Sequence, residues 1–182
     1  MINLGLIIDI HTISLDCELS GPADRAWYYL TRPEGLRAWL AEGSIEPRTG
    51  GGVKLRFLKA DAPVRSSCGA LVHGLVARYE PYRLLAYSWM DASRDVQKPH
   101  FGTAVTSVSF TLMEREAGTK LRLVHSGLPP KLISKIGAGW HAHLSQLVAC
   151  SRNDMPLPEI LPAMMSRYER QAALMRMNAR HV

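Results

Sequence analysis

Histidines are the residues of this sequence best suited to chemistry. His141 and His143 stand one residue apart in the segment GAGWHAHLSQL, and His125 lies in the segment LRLVHSG. Imidazole nitrogens bind metal ions and transfer protons near neutral pH. In an α-helix, side chains two positions apart point roughly 200° apart around the axis, so His141 and His143 cannot hold one ion together. We therefore predict no metal site at this pair.

Cysteines and carboxylates do not complete a catalytic constellation with these histidines. The three cysteines, Cys17, Cys68 and Cys150, form no CxxC pair. On a helix, Cys150 would lie two turns beyond His143, which is too far for a thiolate–imidazole pair. The sequence contains no GxSxG, HExxH, P-loop or GxGxxG motif. We predict no catalytic residue, no metal and no cofactor.

Size and composition indicate one soluble domain. The chain has 182 residues, of which 47% are hydrophobic and 21% are charged. The start, MINLGLIIDI, has neither a basic n-region nor a cleavage site, so we expect no signal peptide, no membrane insertion and a cytoplasmic protein. The net charge of +6 comes from scattered basic residues. This scatter is more typical of a solvated helix face than of a nucleic-acid interface.

The elements that must position His125 and the aromatic residues are predicted from hydrophobic periodicity. Alternation of apolar and polar residues predicts a first strand over residues 10–19 and a second over 53–58. Four further strands are predicted over residues 68–79, 83–90, 104–113 and 119–126. Turn residues between neighbouring strands favour hairpins of an antiparallel meander.

Helices are predicted after the first strand and at the end of the chain. Pro22 suits the first turn of one short helix, and Thr31-x-x-Glu34 indicates a capping box that opens a second. A long helix is predicted over 138–153, and after two prolines a last helix over about 159–180.

Several segments, in their order along the chain, resemble one known superfamily. They are GPADRAWYYLTRPEGLRAWL, GGGVKLRF, HGLVARYEPYRLLAYSW, GTKLRLVHSG and GWHAHLSQL. In these segments the sequence is similar to the SRPBCC superfamily, also called START-like or Bet v 1-like. Within it, the sequence resembles the branch related to activators of the heat-shock protein 90 ATPase.

The resemblance implies an α+β helix-grip fold. In that fold an antiparallel sheet curves around a long C-terminal helix, two short helices follow the first strand, and a cavity lies between sheet and long helix. Residues 1–153 would form this domain, and residues 154–182 a C-terminal helical extension carrying an extra helix.

Strand alternation indicates which side chains face the implied cavity. His125 faces the helix side, where it can orient a polar group of a ligand or form a hydrogen bond within the core. For residues 83–90 either face can be the inner one, since Tyr87 and Trp89 lie on one face and apolar residues on the other. On the long helix, Trp140 leads the stripe that faces the sheet. The predicted ligand-binding residues are Trp39, Phe57, Tyr87, Trp89, Val108, Phe110, His125, Trp140 and Leu144.

The last helix carries a methionine-rich apolar face. Methionine adapts to irregular partners, so this face can pack on the domain itself, on a second subunit in a homodimer, or on another protein.

Three functions are consistent with these patterns. We expect non-enzymatic binding of a small hydrophobic or amphipathic molecule. The resemblance also implies a chaperone-ATPase activator-like interaction module, with a role in the stress response. A polyketide cyclase- or aromatase-like enzyme is the third possibility, with His125 and Tyr87 as its acid–base candidates.

Overall fold

A computed structural model describes residues 2–57, 70–91, 105–154 and 161–178. Its elements, in chain order, are β1 (Ile2–Asp9), β2 (Thr12–Leu19), α1 (Ala23–Thr31), α2 (Pro33–Trp39), β3 (Glu42–Ile45), β4 (Gly52–Arg56), β5 (Leu71–Glu80), β6 (Leu84–Asp91), β7 (Val105–Arg115), β8 (Gly118–Ser126), α3 (Ile133–Arg152) and α4 (Leu161–Asn178). Cys68, the first residues of the strand predicted over 68–79 and both ends of the last predicted helix lie outside the described residues.

The strands form one antiparallel sheet that confirms the predicted helix-grip fold. Its order is β1-β2-β8-β7-β6-β5-β4-β3, so β3 to β8 form a meander and β2 pairs with β8. Ile13 of β2 lies opposite His125 of β8, which in turn lies opposite Val108 of β7. The inner faces of these strands carry mostly apolar side chains, and α3 packs across them, which removes this apolar surface from water.

Two edge strands, β1 and β3, add to those predicted from the sequence. In β1, Leu6 and Ile8 are 61% and 53% exposed while Ile7 between them is buried, so apolar residues occur on both faces and no alternation marks the strand. Strand β3 has only four residues, which is too short for a periodic signal.

The capping box predicted at the start of α2 is wrong. Thr31 instead ends α1, and its hydroxyl donates to the carbonyl oxygen of Trp27 at 2.7 Å. Arg32 is the N-cap of α2 and makes no side-chain cap. The reason is Pro33, which occupies the first helical position and needs no hydrogen-bond acceptor there.

Helix α3 begins at Ile133, five residues before its predicted start at residue 138. Trp140 therefore lies inside the helix rather than in its first turn. Gly137 and Gly139 weaken the helical signal of this segment, since glycine is a poor helix former. Trp140 faces the sheet, since its indole N–H donates to His125 of β8, and Leu144 and Leu147 on the same helix are buried.

Helix α4 packs on its own domain, against α3 and β1. Tyr168 is fully buried, and its backbone oxygen accepts a hydrogen bond from the Ser134 hydroxyl at 3.3 Å. The Gln171 side chain accepts a hydrogen bond from the Ile7 amide at 3.1 Å. Met177, at the end of the same helix, stays 61% exposed. Among the described helices, none is long and apolar enough to cross a membrane.

Candidate functional site

The structure brings the nine predicted ligand-binding residues together between the sheet and α3. Their exposed fractions are Trp39 2%, Phe57 4%, Tyr87 0%, Trp89 5%, Val108 0%, Phe110 1%, His125 0%, Trp140 4% and Leu144 0%. The inner face of β6 is now defined, because Tyr87 and Trp89 are buried whereas Met90 on the other face is 39% exposed. We call the six carbocyclic and indole side chains of this set, from Trp39, Phe57, Tyr87, Trp89, Phe110 and Trp140, the ring cluster.

Trp89 lies at the centre of the ring cluster. Its ring centroid is 5.4 Å from that of Trp140 on α3, with the ring planes at 68°. It stacks on Tyr87 at 6.4 Å and lies 5.9 Å from Phe57. Phe110 joins Trp140 at 6.0 Å in an edge contact. Edge-to-face and offset contacts of this kind match the charge distribution of aromatic rings, so the cluster presents both ring faces and ring edges.

His125 is held by a chain of hydrogen bonds that joins α3 to the sheet. The Trp140 indole N–H donates to His125 Nδ1 at 2.9 Å. Because Nδ1 accepts, the neutral ring carries its proton on Nε2, which lies 2.7 Å from Thr106 Oγ1. The Thr106 hydroxyl donates to the Trp89 carbonyl oxygen at 3.1 Å. Both ring nitrogens of His125 are therefore used within the protein, as expected for a histidine of the core.

Burial keeps this histidine uncharged. It lowers the pKa of His125 from 6.5 to about 3, since a buried ring cannot hold a positive charge without a partner to compensate lost hydration. At neutral pH the ring is thus a fixed link between helix and sheet.

His141 and His143 contact different elements, as their spacing predicts. His141 Nδ1 lies 3.5 Å from the Tyr168 hydroxyl on α4. His143 Nδ1 lies 2.9 Å from the Trp39 carbonyl oxygen on α2. Burial lowers the pKa of both rings, that of His143 to about 4, and the nearby charge of Arg167 also lowers the pKa of His141.

His143 is a site residue that the predicted set omits. Its ring centroid lies 5.8 Å from that of Phe57 and 6.3 Å from that of Trp140. The signal for it is present in the sequence, because His143 follows Trp140 by three positions and therefore shares an edge of the same helix face.

The Tyr87 hydroxyl is the unusual polar group of the ring cluster. It is fully buried, and no described residue forms a hydrogen bond with it. Burial raises the pKa of the phenol above its ordinary value of 10, so the group stays protonated and remains a donor. Leaving such a group without a partner costs about 1–3 kcal/mol, which marks it as a position for a water molecule or a ligand oxygen.

The ring cluster and His143 are buried, with exposed fractions of at most 5%. An open depression of about 530 Å³ lies elsewhere, around the β7–β8 turn, and contains no residue of the ring cluster.

Metal and thiolate chemistry find no support in the described part of the chain. No three His, Cys, Asp or Glu side chains converge there as a metal site. Cys17 is buried, which raises the pKa of its thiol to about 12, so it is not a thiolate at neutral pH.

Comparisons with known proteins agree with this architecture. The family described as "Activator of Hsp90 ATPase homolog 1-like protein" matches residues 20–152. No curated protein matches the sequence.

Solved structures show the same fold. A solution structure from Bordetella parapertussis is 27% identical, with a TM-score of 0.71, over 92% of this chain and 89% of that chain. The crystal structure of CalU16 from Micromonospora echinospora is 26% identical, with a TM-score of 0.67, over 90% of this chain and 88% of that chain. A crystal structure from Mesorhizobium loti is 26% identical, with a TM-score of 0.64, over 79% of this chain and 99% of that chain.

Proposed function

Because the chain belongs to the family of Activator of Hsp90 ATPase homolog 1-like proteins, a family of the SRPBCC superfamily, we propose that it binds a small hydrophobic or amphipathic molecule. The ligand lies between the inner face of the sheet and α3, and the protein holds it in the cytoplasm without converting it chemically.

The observation that carries this proposal is the ring cluster itself. The sheet, α2 and α3 all contribute aromatic side chains to one region. Ligand sites are mostly apolar and aromatic, with a few polar groups that orient the bound molecule. The buried Tyr87 hydroxyl supplies such a group.

The titratable groups support binding rather than acid–base catalysis. A general base must reach the proton that it removes and must have a pKa near the working pH. His125 uses both ring nitrogens within the protein, and its pKa is lowered to about 3. The raised pKa of Tyr87 keeps its hydroxyl protonated.

Native mass spectrometry after gentle purification, followed by thermal shift with a panel of lipids and aromatic compounds, tests the proposal. A ligand at one hundred times its Kd stabilises the folded state by about 2.7 kcal/mol. For a domain of this size that raises Tm by roughly 5–10 °C. If no molecule is retained and no compound in the panel raises Tm, ligand binding is refuted.

A matched pair of variants places the site. Trp89→Phe alters the ring cluster, whereas Trp27→Phe alters a buried ring that packs on Tyr79 and Tyr82 outside it. Both variants lower stability, but only Trp89→Phe weakens the ligand-induced shift. Equal loss of the shift in both variants would place the ligand elsewhere.

The family's description favours a second candidate, an interaction module that stimulates the ATPase of an Hsp90-type chaperone during the stress response. Adding the purified protein to such a chaperone would then raise its ATPase rate. An unchanged rate, with no complex in a pull-down, would exclude this role.

A further inference from the structure

We propose that His143 and Tyr87 form a polar pair that recognises an uncharged aromatic ligand carrying a hydroxyl group. His143 Nε2 accepts a hydrogen bond from the ligand, and the Tyr87 hydroxyl donates one to it. This inference rests on the proposed function and specifies the class of ligand that the ring cluster takes.

His143 is oriented so that one nitrogen remains available. Its Nδ1 donates to the Trp39 carbonyl oxygen at 2.9 Å. Since a carbonyl oxygen only accepts, Nδ1 must carry the proton, and in the neutral ring Nε2 is then an acceptor. Burial keeps the ring neutral by lowering its pKa to about 4. No described residue donates to Nε2, so α2 and α3 together present an acceptor without a donor.

Tyr87 presents the complementary group from the sheet. Its hydroxyl is buried and has no partner among the described residues. Buried polar groups in folded proteins almost always have a partner. A ligand oxygen, which accepts the phenol proton, satisfies this hydroxyl.

The two polar groups belong to the same region. Tyr87 stacks on Trp89 at 6.4 Å, Trp89 lies 5.9 Å from Phe57, and Phe57 lies 5.8 Å from His143. These contacts connect Tyr87 to His143 through two intervening rings, those of Trp89 and Phe57, and the proposed ligand lies along this path.

Charge and shape select the ligand. The buried polar residues among those described are threonine, serine and histidine, with no Asp, Glu, Lys or Arg to compensate a ligand charge. Burying an unpaired charge is strongly unfavourable, so the ligand is neutral. Flat rings match the faces and edges of the aromatic cluster. A hydroxyl group both donates and accepts, which matches His143 and Tyr87 together.

Two probes test the inference, 2-naphthol and 2-methoxynaphthalene, in which a methyl group replaces the hydroxyl proton. The methoxy compound keeps the flat rings and an oxygen acceptor but cannot donate to His143. By isothermal titration calorimetry at pH 7, we expect 2-naphthol to bind roughly 3–10-fold more tightly, the range of one net hydrogen bond. Equal affinities overturn the inference.

The variant His143→Asn removes the acceptor Nε2 together with the ring that packs on Phe57 and Trp140. The Asn amide can still donate to the Trp39 carbonyl oxygen, but it offers no group at the position of Nε2. We expect this variant to bind both probes with equal affinity, so the ratio of the two affinities is the quantity to compare with that of the unaltered protein. Tyr87→Phe should weaken both probes by similar factors. A preference for 2-naphthol that persists in His143→Asn overturns the inference.

A measurement on the unaltered protein guards against a variant that fails to fold. Long-range ¹H–¹⁵N spectra should show Nε2 of His143 shifting on addition of 2-naphthol and not on addition of 2-methoxynaphthalene. An unchanged Nε2 resonance at saturating 2-naphthol contradicts the pair. If neither probe binds but other apolar compounds raise Tm, this inference falls while the proposed function stands. If no compound binds, both fall.

Discussion

The contact between α3 and α4 can be tested with two glycines of the same helix. A Cβ built on Gly137 would lie 2.7 Å from Cδ1 and 2.9 Å from Cε1 of the Tyr168 ring. A Cβ on Gly139, half a turn further along, meets nothing within 4 Å. Gly137→Ala and Gly139→Ala therefore make the same chemical change in two different environments.

The expected effects have opposite signs. Alanine in a helix interior is favoured over glycine by about 0.5–1 kcal/mol, so Gly139→Ala should raise the free energy of unfolding by that amount. Its Tm should rise by roughly 1–4 °C. Gly137→Ala gains the same propensity, but its methyl group overlaps a fully buried ring that has no room to move aside. Overpacking costs about 1–3 kcal/mol, so the net result is a loss of up to about 2 kcal/mol.

Urea unfolding followed by circular dichroism measures both variants. A double-mutant cycle with Tyr168→Ala supplies the control, because Gly137→Ala should become stabilising once the ring is removed. If Gly137→Ala stabilises the unaltered chain as much as Gly139→Ala does, then α4 does not pack on α3 through Tyr168 and the reasoning is refuted.

Three further predictions concern the buried polar groups. Trp140→Phe removes the donor to His125 Nδ1, so it should lower the free energy of unfolding by at least about 1–3 kcal/mol. The same change should raise the pKa of His125, measured by NMR titration. An unchanged pKa would show that the hydrogen bond is absent. Tyr87→Phe should raise the free energy of unfolding by about 1 kcal/mol in urea, because the lost hydroxyl has no partner among the described residues. The control Tyr29→Phe removes a hydroxyl that donates to a backbone carbonyl oxygen at 3.1 Å, so it should lower the free energy of unfolding by about the same amount. A loss of stability in both variants would reveal a partner for Tyr87. Burial lowers the pKa of His125 from 6.5 to about 3 and that of His143 to about 4, so below pH 6.5 the unfolded chain binds more protons than the folded chain. The free energy of unfolding therefore falls on acidification below about pH 6.5, by up to about 1.4 kcal/mol per pH unit for each ring. Urea midpoints that stay constant from pH 7 to pH 5 would contradict this.

Alternation along strands is a local property, and it located the inner faces of β2, β7 and β8 from sequence alone. In β7, Val108 and Phe110 are predicted to face the helix side, and both are buried. In β6 both faces carry apolar residues, so the pattern left two alternatives. The inner face there follows from the pairing of Tyr87 with Val108, which belongs to a different strand.

The ends of helices and the strands at the edge of the sheet depend on contacts between distant segments, which the residue pattern of one segment does not show. Strand β1 has no alternation because the outer face of this edge strand is also apolar, with Leu6 exposed. Gly137 lies in the second turn of α3, and the Tyr168 ring of α4 occupies the space that a side chain at this position would take. In the sequence this glycine only weakens the helical signal, whereas in the structure it allows α4 to pack closely on α3.

The amino-acid sequence by itself determined the order of the meander, the inner faces of β7 and β8 and the arrangement of His141 and His143 on opposite sides of a helix. Strand and helix periodicities are geometric consequences of the backbone. Only the tertiary structure decided what each buried polar group contacts. His125 forms hydrogen bonds with Trp140 of α3 and Thr106 of β7, and His143 forms one with the backbone of α2. The Tyr87 hydroxyl forms none with a described residue. Hydrogen bonds between distant segments depend on distances of a few ångströms, and those distances exist only once sheet and helix have packed together.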